Sequence, residues 1–515
     1  MSLLAIDIGS SACKAALFTV SGEILAQHSS GYTPEFPRPC FAEMDPEKFW
    51  HAICASCQAV VRDVADPVQA LCLSSHGETF VALDANERPL APAILNQDSR
   101  ATAEAAWCEE AIGRKRLFQI TGQVTHPMYS IPKIIWLRQH RPDIFASTAR
   151  FVTLVGYILG RMGLPSYTDY SLASRFLAFD IRKRCWSDDI LAAAGLSKDR
   201  LPVPVPAGTI AGKLDSGAAS DLGLRAGTPV VLGGHDQPCG ALGVGVIGGG
   251  VSDSIGTYEC ILAGSDAPSL TDAALAASLN SYCHVVPDKF VTIAYFPSGI
   301  MLKWLHDLLY SNACGNVSSE TVPENIEADH YAFLETHAPE DPTGLCITPH
   351  LIGTCNPEFN PHARGMIAGL TPGTTRSELY KGILEGLACE LSLVTEVLAE
   401  GAGHFEDIYV TGGGSRSALG LQLRAALTGR RLHVMRSSEA VCLGTAILAG
   451  VAAREYGDVR EAVEQVVHEI GVIAPNPVIA ADYAGQVTRY RALRAAMIAG
   501  FDFVAHDFAA RKEDC

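Results

Sequence analysis

The feature that most constrains the fold is a glycine-hydroxyl turn between two apolar strands, which occurs near the start of the chain and again near its middle. Residues 5–18 read AIDIGSSACKAALF, and residues 251–264 read VSDSIGTYECILAG. In each segment an apolar run leads to Ile-Gly and a hydroxyl residue, and a second apolar run follows. The repeat is short, but it predicts two similar domains whose turns face one cleft.

Strand-like and helix-like segments alternate along most of the chain, which is typical of an α/β architecture. Residues 45–64 (DPEKFWHAICASCQAVVRDV) have an Asp at the N-cap position, a Pro at the first helical position and apolar residues at helical spacing. The next apolar run, VQALCLSSH, reads as a strand that ends in polar residues. In such folds the functional sites lie at the carboxyl ends of the strands.

The domain boundary is expected near residues 246–250, which divides the chain into domains 1–247 and 248–515. The glycine-rich stretch GVGVIGGG ends the first half, and the repeated strand–turn–strand segment opens the second. The last stretch, roughly 460–515, is predicted to be helical and charged.

Composition excludes several classes of function. The chain has 515 residues, 48% of them hydrophobic, so it can build two or three cores, and its formal net charge of −17 argues against a broad nucleic-acid surface. The segment MSLLAIDIGSS lacks the basic start of a signal peptide, and no run reaches the roughly 20 apolar residues of a membrane span. The 16 cysteines are scattered through apolar segments, which indicates reduced thiols and a cytoplasmic protein. Cys54 and Cys57 form a lone C-x-x-C pair on a predicted helix, which favours buried helix cysteines over a zinc or redox site.

Three glycine turns, each directly after a predicted strand, form a candidate nucleotide site. They consist of Gly9, Ser10 and Ser11, then Gly256 and Thr257, then Gly412, Gly413, Gly414 and Ser415. Backbone N–H groups in such turns converge on an anion because no Cβ blocks its approach, and the third turn precedes a helix whose N-terminus adds a favourable dipole. One such turn is an ordinary connection, whereas three favour a nucleotide held between two domains. Neither a P-loop nor a Rossmann glycine fingerprint is present.

Two charged residues flank the first turn. Asp7 precedes it and is placed either to orient Mg²⁺ through water or to cap the turn. Lys14 follows it and either contacts a phosphate or is a solvated charge on the strand.

Asp236 is the candidate catalytic base. It lies in VVLGGHDQPCGALGVG (230–245), where a buried strand gives way to a small-residue helix. A helix N-cap is one interpretation, because a carboxylate there accepts the first free N–H groups. The other is a base, because phosphoryl transfer to a sugar hydroxyl needs a group that takes the acceptor's proton. The position of Asp236, about 20 residues before the second turn on a loop that enters the same interface, favours the base.

Longer segments resemble a known family. MYSIPKIIWLRQH (128–140) fits the first signature of the FGGY carbohydrate kinases, and GMIAGLTPGTTRSELYKGILE (365–385) fits the second except at Gly382, where the family has Ala or Ser. The resemblance extends over roughly 450 residues. It implies two ribonuclease-H-like domains of the actin-like ATPase type flanking a cleft that binds ATP, Mg²⁺ and a sugar or polyol.

The resemblance also implies residue roles. GGHDQPCGALG corresponds to the segment of the family's catalytic aspartate, which gives Asp236 that role, and Asp7 corresponds to the metal-orienting aspartate. The three turns correspond to the ATP-binding loops. A homodimer is a further expectation from the family, and no nucleic-acid or membrane partner is expected.

The acceptor pocket is expected after the strand ALCLS and around the segment NQDSR. Its candidate substrate-binding residues are Ser75, His76, Gly77, Glu78, Asp98, Asp236 and Gln237. His76 is either a ligand contact or a structural hydrogen-bonding residue, and Asp98 either binds a sugar hydroxyl or pairs with Arg100.

The motifs of the pocket conflict over the substrate. His76 and Gly77 match the pattern of xylulokinases, whereas Glu78, Thr79 and the Asp-Gln pair are more similar to glycerol kinases. Asn96 replaces a Trp that is usual in the family. We expect a xylulokinase-like enzyme for a ketopentose such as D-xylulose, with ribulose, fuculose or a glycerol-like polyol as alternatives. A non-catalytic actin-like ATPase or a sugar sensor is the alternative from a different class.

Overall fold

Each half of the chain builds its own mixed β-sheet, as the internal repeat predicts. The protein is represented by a computed structural model that describes residues 1–64, 66–310 and 324–513. In spatial order, the first sheet contains the strands Ile210–Lys213, Pro229–His235, Val68–Ser75, Ser2–Ile8, Ala12–Thr19 and Ile24–Gly31. The second contains Asn280–Cys283, Phe290–Pro297, Tyr258–Ser265, Val251–Ile255, Asp407–Thr411, Arg431–Met435 and Glu469–Ile473.

The central strands of the two sheets share one arrangement. In each, the first strand along the chain pairs antiparallel with the next across a glycine turn and parallel with a strand that comes much later. A further parallel strand then continues the sheet on that side. The edges differ, because Ile24–Gly31 is next to Ala12–Thr19 in the first sheet, whereas Phe290–Pro297 lies between Tyr258–Ser265 and Asn280–Cys283 in the second. The predicted α/β class is therefore confirmed.

Helices cover the sheets, and a smaller four-stranded sheet extends the first half. Its strands are Glu43–Met44, Ala93–Ile94, Phe80–Leu83 and Arg150–Thr153. The helices of the first half are Pro46–Val61, Thr102–Ile112, Arg114–Thr121, Ser130–His140, Pro142–Ser147, Leu154–Arg161, Tyr170–Ser174, Asp188–Ala194, Ser216–Leu222 and Asp236–Gly243. Those of the second half are Asp272–Ala276, Gly299–Tyr310, Glu324–Thr336, Arg376–Ala402, Ala418–Thr428, Ala440–Ala452, Val459–Val466, Pro477–Asp482 and Gln486–Glu513.

The helix predicted from residue 45 onward forms as its cap residues indicate. The side chain of Asp45 accepts a hydrogen bond from the backbone N–H of Glu47, and Pro46 opens the helix. Cys57 is buried and Cys54 half-buried on this helix, and both are free thiols. Across the described parts of the chain, no cluster of three or more metal-binding side chains is present.

One helix of the second half packs in the core of the first. Helix Ala440–Ala452 places Cys442, Leu443 and Ala446 in the same buried cluster as Leu3, from the first strand. This cluster lies between the first sheet and the helix, so the two halves are interlocked. The division into domains 1–247 and 248–515 stays a prediction.

The predicted helical end of the chain contains three helices and one edge strand, and residues 514 and 515 lie outside the described part. Helix Gln486–Glu513 packs along the long helix Arg376–Ala402. Among the helices that the structure describes, none is long and apolar enough to span a membrane.

Candidate active site

Three neighbouring parallel strands of the first sheet end side by side. They are Ser2–Ile8, Val68–Ser75 and Pro229–His235. Asp7 is the penultimate residue of the first strand, and Asp236 directly follows the last. The strand order therefore brings the two predicted carboxylates to one edge of the sheet, where α/β folds hold their ligands.

Asp236 opens its helix but does not cap it. The N-cap of helix Asp236–Gly243 is His235, and no side-chain capping hydrogen bond from a described residue is present. The side chain of Asp236 is 20% exposed, and its Oδ1 atom lies 3.3 Å from Nε2 of His235. This oxygen is buried and accepts no hydrogen bond from the described part of the chain. The side chain is thus partly exposed and makes no helix-capping hydrogen bond, and one of its oxygens is left buried and unpartnered.

Burial, neighbouring charges and a hydrogen bond shift the pKa of Asp236. Loss of water on burial raises this pKa most, and the negative charges of Asp7 and Glu78 raise it further. The backbone N–H of Gln237 and the guanidinium of Arg175 oppose the rise. The pKa of Asp236 therefore lies well above its usual value, which is the direction that suits a general base near neutral pH.

Asp7 is half-buried and offers oxygen ligands that suit Mg²⁺. The loss of water around it raises its pKa to about 6, against the opposing effects of Ser74 and Lys14. Ser74 Oγ donates a hydrogen bond of 3.1 Å to Asp7 Oδ1. A divalent cation would relieve the repulsion between the carboxylates at this edge, and Mg²⁺ takes one or two protein carboxylates with waters and phosphate oxygens. The residues present therefore fit this ion.

Lys14 makes a contact that neither sequence interpretation anticipated. Its Nζ lies 2.6 Å from Oε2 of Glu439, which directly precedes helix Ala440–Ala452. Glu439 is only 17% exposed, so this ion pair is partly shielded and links the first strand pair to the second half of the chain. Lys14 is therefore neither a fully solvated charge nor free of other partners.

The second and third glycine turns meet at a large cavity in the second half. The cavity has a volume of about 710 Å³, and Gly256, Thr257, Gly413 and Gly414 line it. The parallel strands before the two turns place them side by side. The residues of the first turn, Gly9–Ser11, are not among the described residues that line it.

Two of these glycines are required by close packing. Gly412 has a φ of +88°, and a Cβ there would lie 2.7 Å from the carbonyl oxygen of Ile255. A Cβ on Gly414 would lie 2.2 Å from Cγ2 of the same Ile255. The Ser415 hydroxyl donates to the Gly412 carbonyl, 2.7 Å away, which closes the turn. Helix Ala418–Thr428 begins after the turn and is capped by Ser417.

A buried ionic group, which the sequence analysis missed, forms one wall of this cavity. Arg424 Nη2 lies 2.7 Å from Oε2 of Glu259, and the hydroxyl of Ser298 donates to that same oxygen. The nearby Asp253 is fully buried, and burial together with Glu259 raises its pKa well above the usual value. Asp253 and Glu259 flank the turn in the repeat, but no sequence pattern linked Glu259 to Arg424, which lies 165 positions later in the chain.

On the acceptor side, protein atoms occupy both ring nitrogens of His76. Its Nδ1 lies 2.9 Å from the carbonyl oxygen of Ile8, and its Nε2 lies 2.8 Å from the Thr79 hydroxyl. Burial lowers the pKa of His76, which favours the neutral ring. These contacts are those of the structural alternative, and a contact of His76 with the ligand stays a prediction.

Ser75 and Asp98 are also engaged by the protein. Ser75 donates to the carbonyl oxygen of its neighbour His76. Asp98 accepts hydrogen bonds on both oxygens from Arg100 and on one from the backbone N–H of Ala42. The pairing with Arg100 is thus present, and the binding of a sugar hydroxyl by Asp98 stays a prediction.

Gly77, Glu78 and Gln237 remain next to the predicted base. Glu78 is buried and has a φ of +62°, a conformation that non-glycine residues adopt mainly where the surroundings enforce it. Its carboxylate pairs with Arg175, a residue that the sequence analysis did not single out. The two are 97 positions apart, and no local pattern could link them.

A second cavity, of about 380 Å³, lies between the two halves and is called the inter-domain cavity. Its lining includes Thr125, His126 and Tyr129 from the first half, and Tyr295 and Phe359 from the second. Tyr129 lies close to Arg175, whose guanidinium is 5.1 Å from the centre of the tyrosine ring. The cavity therefore has walls from both halves and reaches Tyr129, next to the Arg175–Glu78 pair.

Comparisons with known proteins agree with this architecture. Models of the FGGY family of carbohydrate kinases match the chain over residues 2–243 for the N-terminal domain and 252–453 for the C-terminal domain. A xylulose kinase of Escherichia coli (strain K12) is 30% identical over 470 residues, which cover 90% of this chain and 92% of that protein. A gluconokinase of Bacillus subtilis (strain 168) is 28% identical over 454 residues, covering 87% and 86%.

A solved structure confirms the fold. The ligand-bound xylulose kinase from Lactobacillus acidophilus superposes with a TM-score of 0.88 at 22% identity, covering 98% of this chain and 99% of that one. The two-domain, actin-like fold inferred from the sequence is therefore confirmed. The chain belongs to the FGGY family of carbohydrate kinases and is an ATP-dependent sugar phosphotransferase.

Proposed function

We propose that the enzyme transfers the γ-phosphoryl group of ATP to a hydroxyl of a neutral ketose or polyol, with a ketopentose such as D-xylulose as the favoured acceptor. The observation that carries the proposal is the free Oδ1 of Asp236, a partly exposed carboxylate at the carboxyl edge of the first sheet. Asp236 is the general base in this proposal, and Asp7 orients Mg²⁺.

The proposed step is a direct transfer. Asp236 accepts the proton of the acceptor hydroxyl as its oxygen attacks the γ-phosphorus, the new O–P bond forms, and the bond to the β-phosphate oxygen breaks to release ADP. Mg²⁺, when bound, supplies charge neutralisation on the phosphate oxygens. The protein contributes position, because the base and the acceptor must be in line with the phosphorus.

The nucleotide is proposed to lie in the 710 Å³ cavity of the second half. The turns at Gly256–Thr257 and Gly412–Ser415 supply backbone N–H groups for phosphates. Tyr331 and Tyr380 line the cavity and offer aromatic surface for the adenine ring of ATP. The turn at Gly9–Ser11 approaches from the first half when the cleft closes over ATP, and closure excludes water as a competing acceptor.

The charges near the acceptor pocket favour a neutral substrate. In the inter-domain cavity, Arg114 lies 3.7 Å from Glu109. Glu358 adds a second acid to the lining. Two acids against one arginine favour a neutral acceptor over a carboxylate-bearing one such as an aldonate, which would need an unpaired cation for charge balance.

A substrate panel tests the proposal. ADP release should be measured with Mg²⁺-ATP and D-xylulose, D-ribulose, glycerol or gluconate. We expect saturable turnover with at least one neutral acceptor and little with gluconate. Turnover restricted to gluconate would overturn the proposed acceptor class. ADP release that is independent of every acceptor would instead favour an actin-like ATPase without sugar transfer.

A further inference from the structure

A buried arginine lies between the inter-domain cavity and the predicted base. Arg175 directly follows the short helix Tyr170–Ser174 and is 7% exposed. Its guanidinium pairs with the carboxylate of Glu78, and it lies 5.1 Å from the ring centres of both Tyr129 and Tyr282. A guanidinium this enclosed is costly unless a counter-charge is present, and Glu78 provides that charge.

Gly77 connects Arg175 with Asp236. A Cβ on Gly77 would lie 2.9 Å from Cγ of Arg175 and 3.1 Å from Cδ2 of His235, so both side chains pack against residue 77. His235 in turn lies 3.3 Å from Asp236. The hydroxyl of Tyr282 lies 3.1 Å from Nδ1 of His235, which forms a second link from the arginine to the histidine. These contacts connect Arg175 with Asp236, and the charge of Arg175 lowers the pKa of Asp236.

Arg175 also fixes the orientation of Gln123. Arg175 Nη1 donates a hydrogen bond of 2.8 Å to Oε1 of Gln123, and the Tyr129 hydroxyl donates to the same oxygen at 2.8 Å. Because a guanidinium can only donate, the amide oxygen must face it, which sets the position of Nε2. That nitrogen is buried and has no hydrogen-bond partner among the described residues.

The unpartnered atoms match the chemistry of an alcohol. Gln123 Nε2 is a free donor, and Asp236 Oδ1 is a free acceptor within the described structure. Leaving such groups unpaired and buried costs free energy, and a ligand that pairs them recovers it. A hydroxyl both donates and accepts a hydrogen bond, so an alcohol has the chemistry to pair with either group.

We propose that Arg175 is a positioning residue for the acceptor: it holds the Glu78 carboxylate and the Gln123 amide for substrate hydroxyls and supplies the positive charge beside Asp236. This inference rests on the proposed role of Asp236 as the base. The titratable groups that face Asp236 are the acids Asp7 and Glu78, the cation Arg175, and the neighbours His235, Cys260 and Tyr282.

The test compares charge changes of opposite sign. Arg175→Met, Glu78→Gln and the double variant are assayed for kcat, for KM of the acceptor and of ATP, and for the pH profile. Arg200→Met is the control, because Arg200 also lies over two aromatic rings and hydrogen-bonds within the first half, at Phe145 and Thr148.

We expect Arg175→Met to raise the acceptor KM by about tenfold or more, as loss of charged hydrogen bonds implies, with the KM of ATP unchanged. The acid limb of this variant's pH–rate profile should move to higher pH, because the cation that favours the ionised form of Asp236 has been removed. Glu78→Gln should move the acid limb to lower pH, and the double variant should lie between the two. Arg200→Met should leave all these values unchanged.

An Arg175→Met enzyme with an unchanged acceptor KM and pH profile would overturn the inference, as would equal shifts in Arg200→Met. If Arg175→Met does not fold, Arg175→Lys decides, because it keeps the charge but loses the planar fork. It should keep the wild-type acid limb with a raised acceptor KM. Wild-type turnover in the same assay tests the proposed function separately, so its failure is distinguishable from that of the inference.

Discussion

At the scale of single residues, position along a strand predicted where the two carboxylates lie but not which side chains surround them. Asp7 and Asp236 stand at strand ends in the sequence, and parallel pairing brings strand ends together. The partners of His76 and Asp98 include backbone groups that the fold brings in, such as the Ile8 carbonyl and the Ala42 N–H, so the sequence left those roles open. Arg175 carried no signal, because its partner Glu78 lies in a distant segment.

A single methyl group at Gly77 tests the residue-scale account. Gly77→Ala would place a Cβ 2.9 Å from Cγ of Arg175, which is not the mobile end of that side chain. We expect overpacking to cost about 1–3 kcal/mol and to displace Arg175, so that acceptor kcat/KM falls more than ATP affinity. Gly249→Ala is the matched control, since no described atom outside its immediate neighbours lies within 4 Å of its Cβ position. Equal acceptor kinetics in the two variants would contradict the account.

At the scale of elements, helices Asp236–Gly243 and Ala440–Ala452 pack with their backbones in close approach. Each has a glycine where the other's backbone approaches, Gly243 and Gly444. The small residues of AVCLGTAILAG indicated a closely packed helix, but small residues do not identify the partner. That partner carries Asp236 at its first position, so the packing of the two helices sets the position of the predicted base.

Gly444→Ala should separate these helices. Its Cβ would lie 1.9 Å from the carbonyl oxygen of Cys239, a backbone atom that cannot rotate away. We expect a loss of about 2–3 kcal/mol in the free energy of unfolding, measured by urea denaturation, together with reduced turnover. Gly471→Ala, whose Cβ meets no described atom within 4 Å, should stay near wild type. A Gly444→Ala protein as stable as this control would show that the helices are not held in contact.

The C-terminal helix is anchored by a buried carboxylate. Glu390 on the long helix accepts hydrogen bonds from Tyr490 and Arg494 and lies 3.0 Å from His350. These partners outweigh burial and lower the pKa of Glu390 to about 2. Because the folded pKa lies below the usual value of 4.5, the stabilisation is complete above pH 4.5 and is lost as the pH falls toward 2.

Glu390→Gln should therefore destabilise the protein by about 3–5 kcal/mol at pH 7, because Arg494 is left without its buried partner. The difference from wild type should shrink between pH 4.5 and pH 2, where the wild-type carboxylate takes up a proton. Urea unfolding at several pH values measures it. Glu396→Gln, on the same helix but in an exposed pair with Arg491, is the control. A difference from wild type that is constant with pH would contradict the assignment.

At the scale of the whole molecule, two sheets with the same central strand arrangement place complementary chemistry on the two sides of a cleft. The repeat predicted this duplication because the same strand–turn–strand pattern requires the same pairing. It could not predict that helix Ala440–Ala452 lies in the core of the first half, because the hydrophobic pattern of a helix does not state which sheet it covers. The pair Lys14–Glu439 also links the halves, at the edge where Asp7 lies.

In the proposed mechanism, Asp236 takes the proton of a sugar hydroxyl while ATP is held by the opposite half. The most direct measurement is the turnover of Asp236→Asn, with ATP binding measured alongside, against Asp188→Asn as control. Asp188 likewise opens a helix but is 82% exposed. We expect a loss of about 10²–10⁴ in kcat for Asp236→Asn, with ATP affinity retained and the turnover of Asp188→Asn unchanged. Near-normal turnover of Asp236→Asn would show that Asp236 is not the general base.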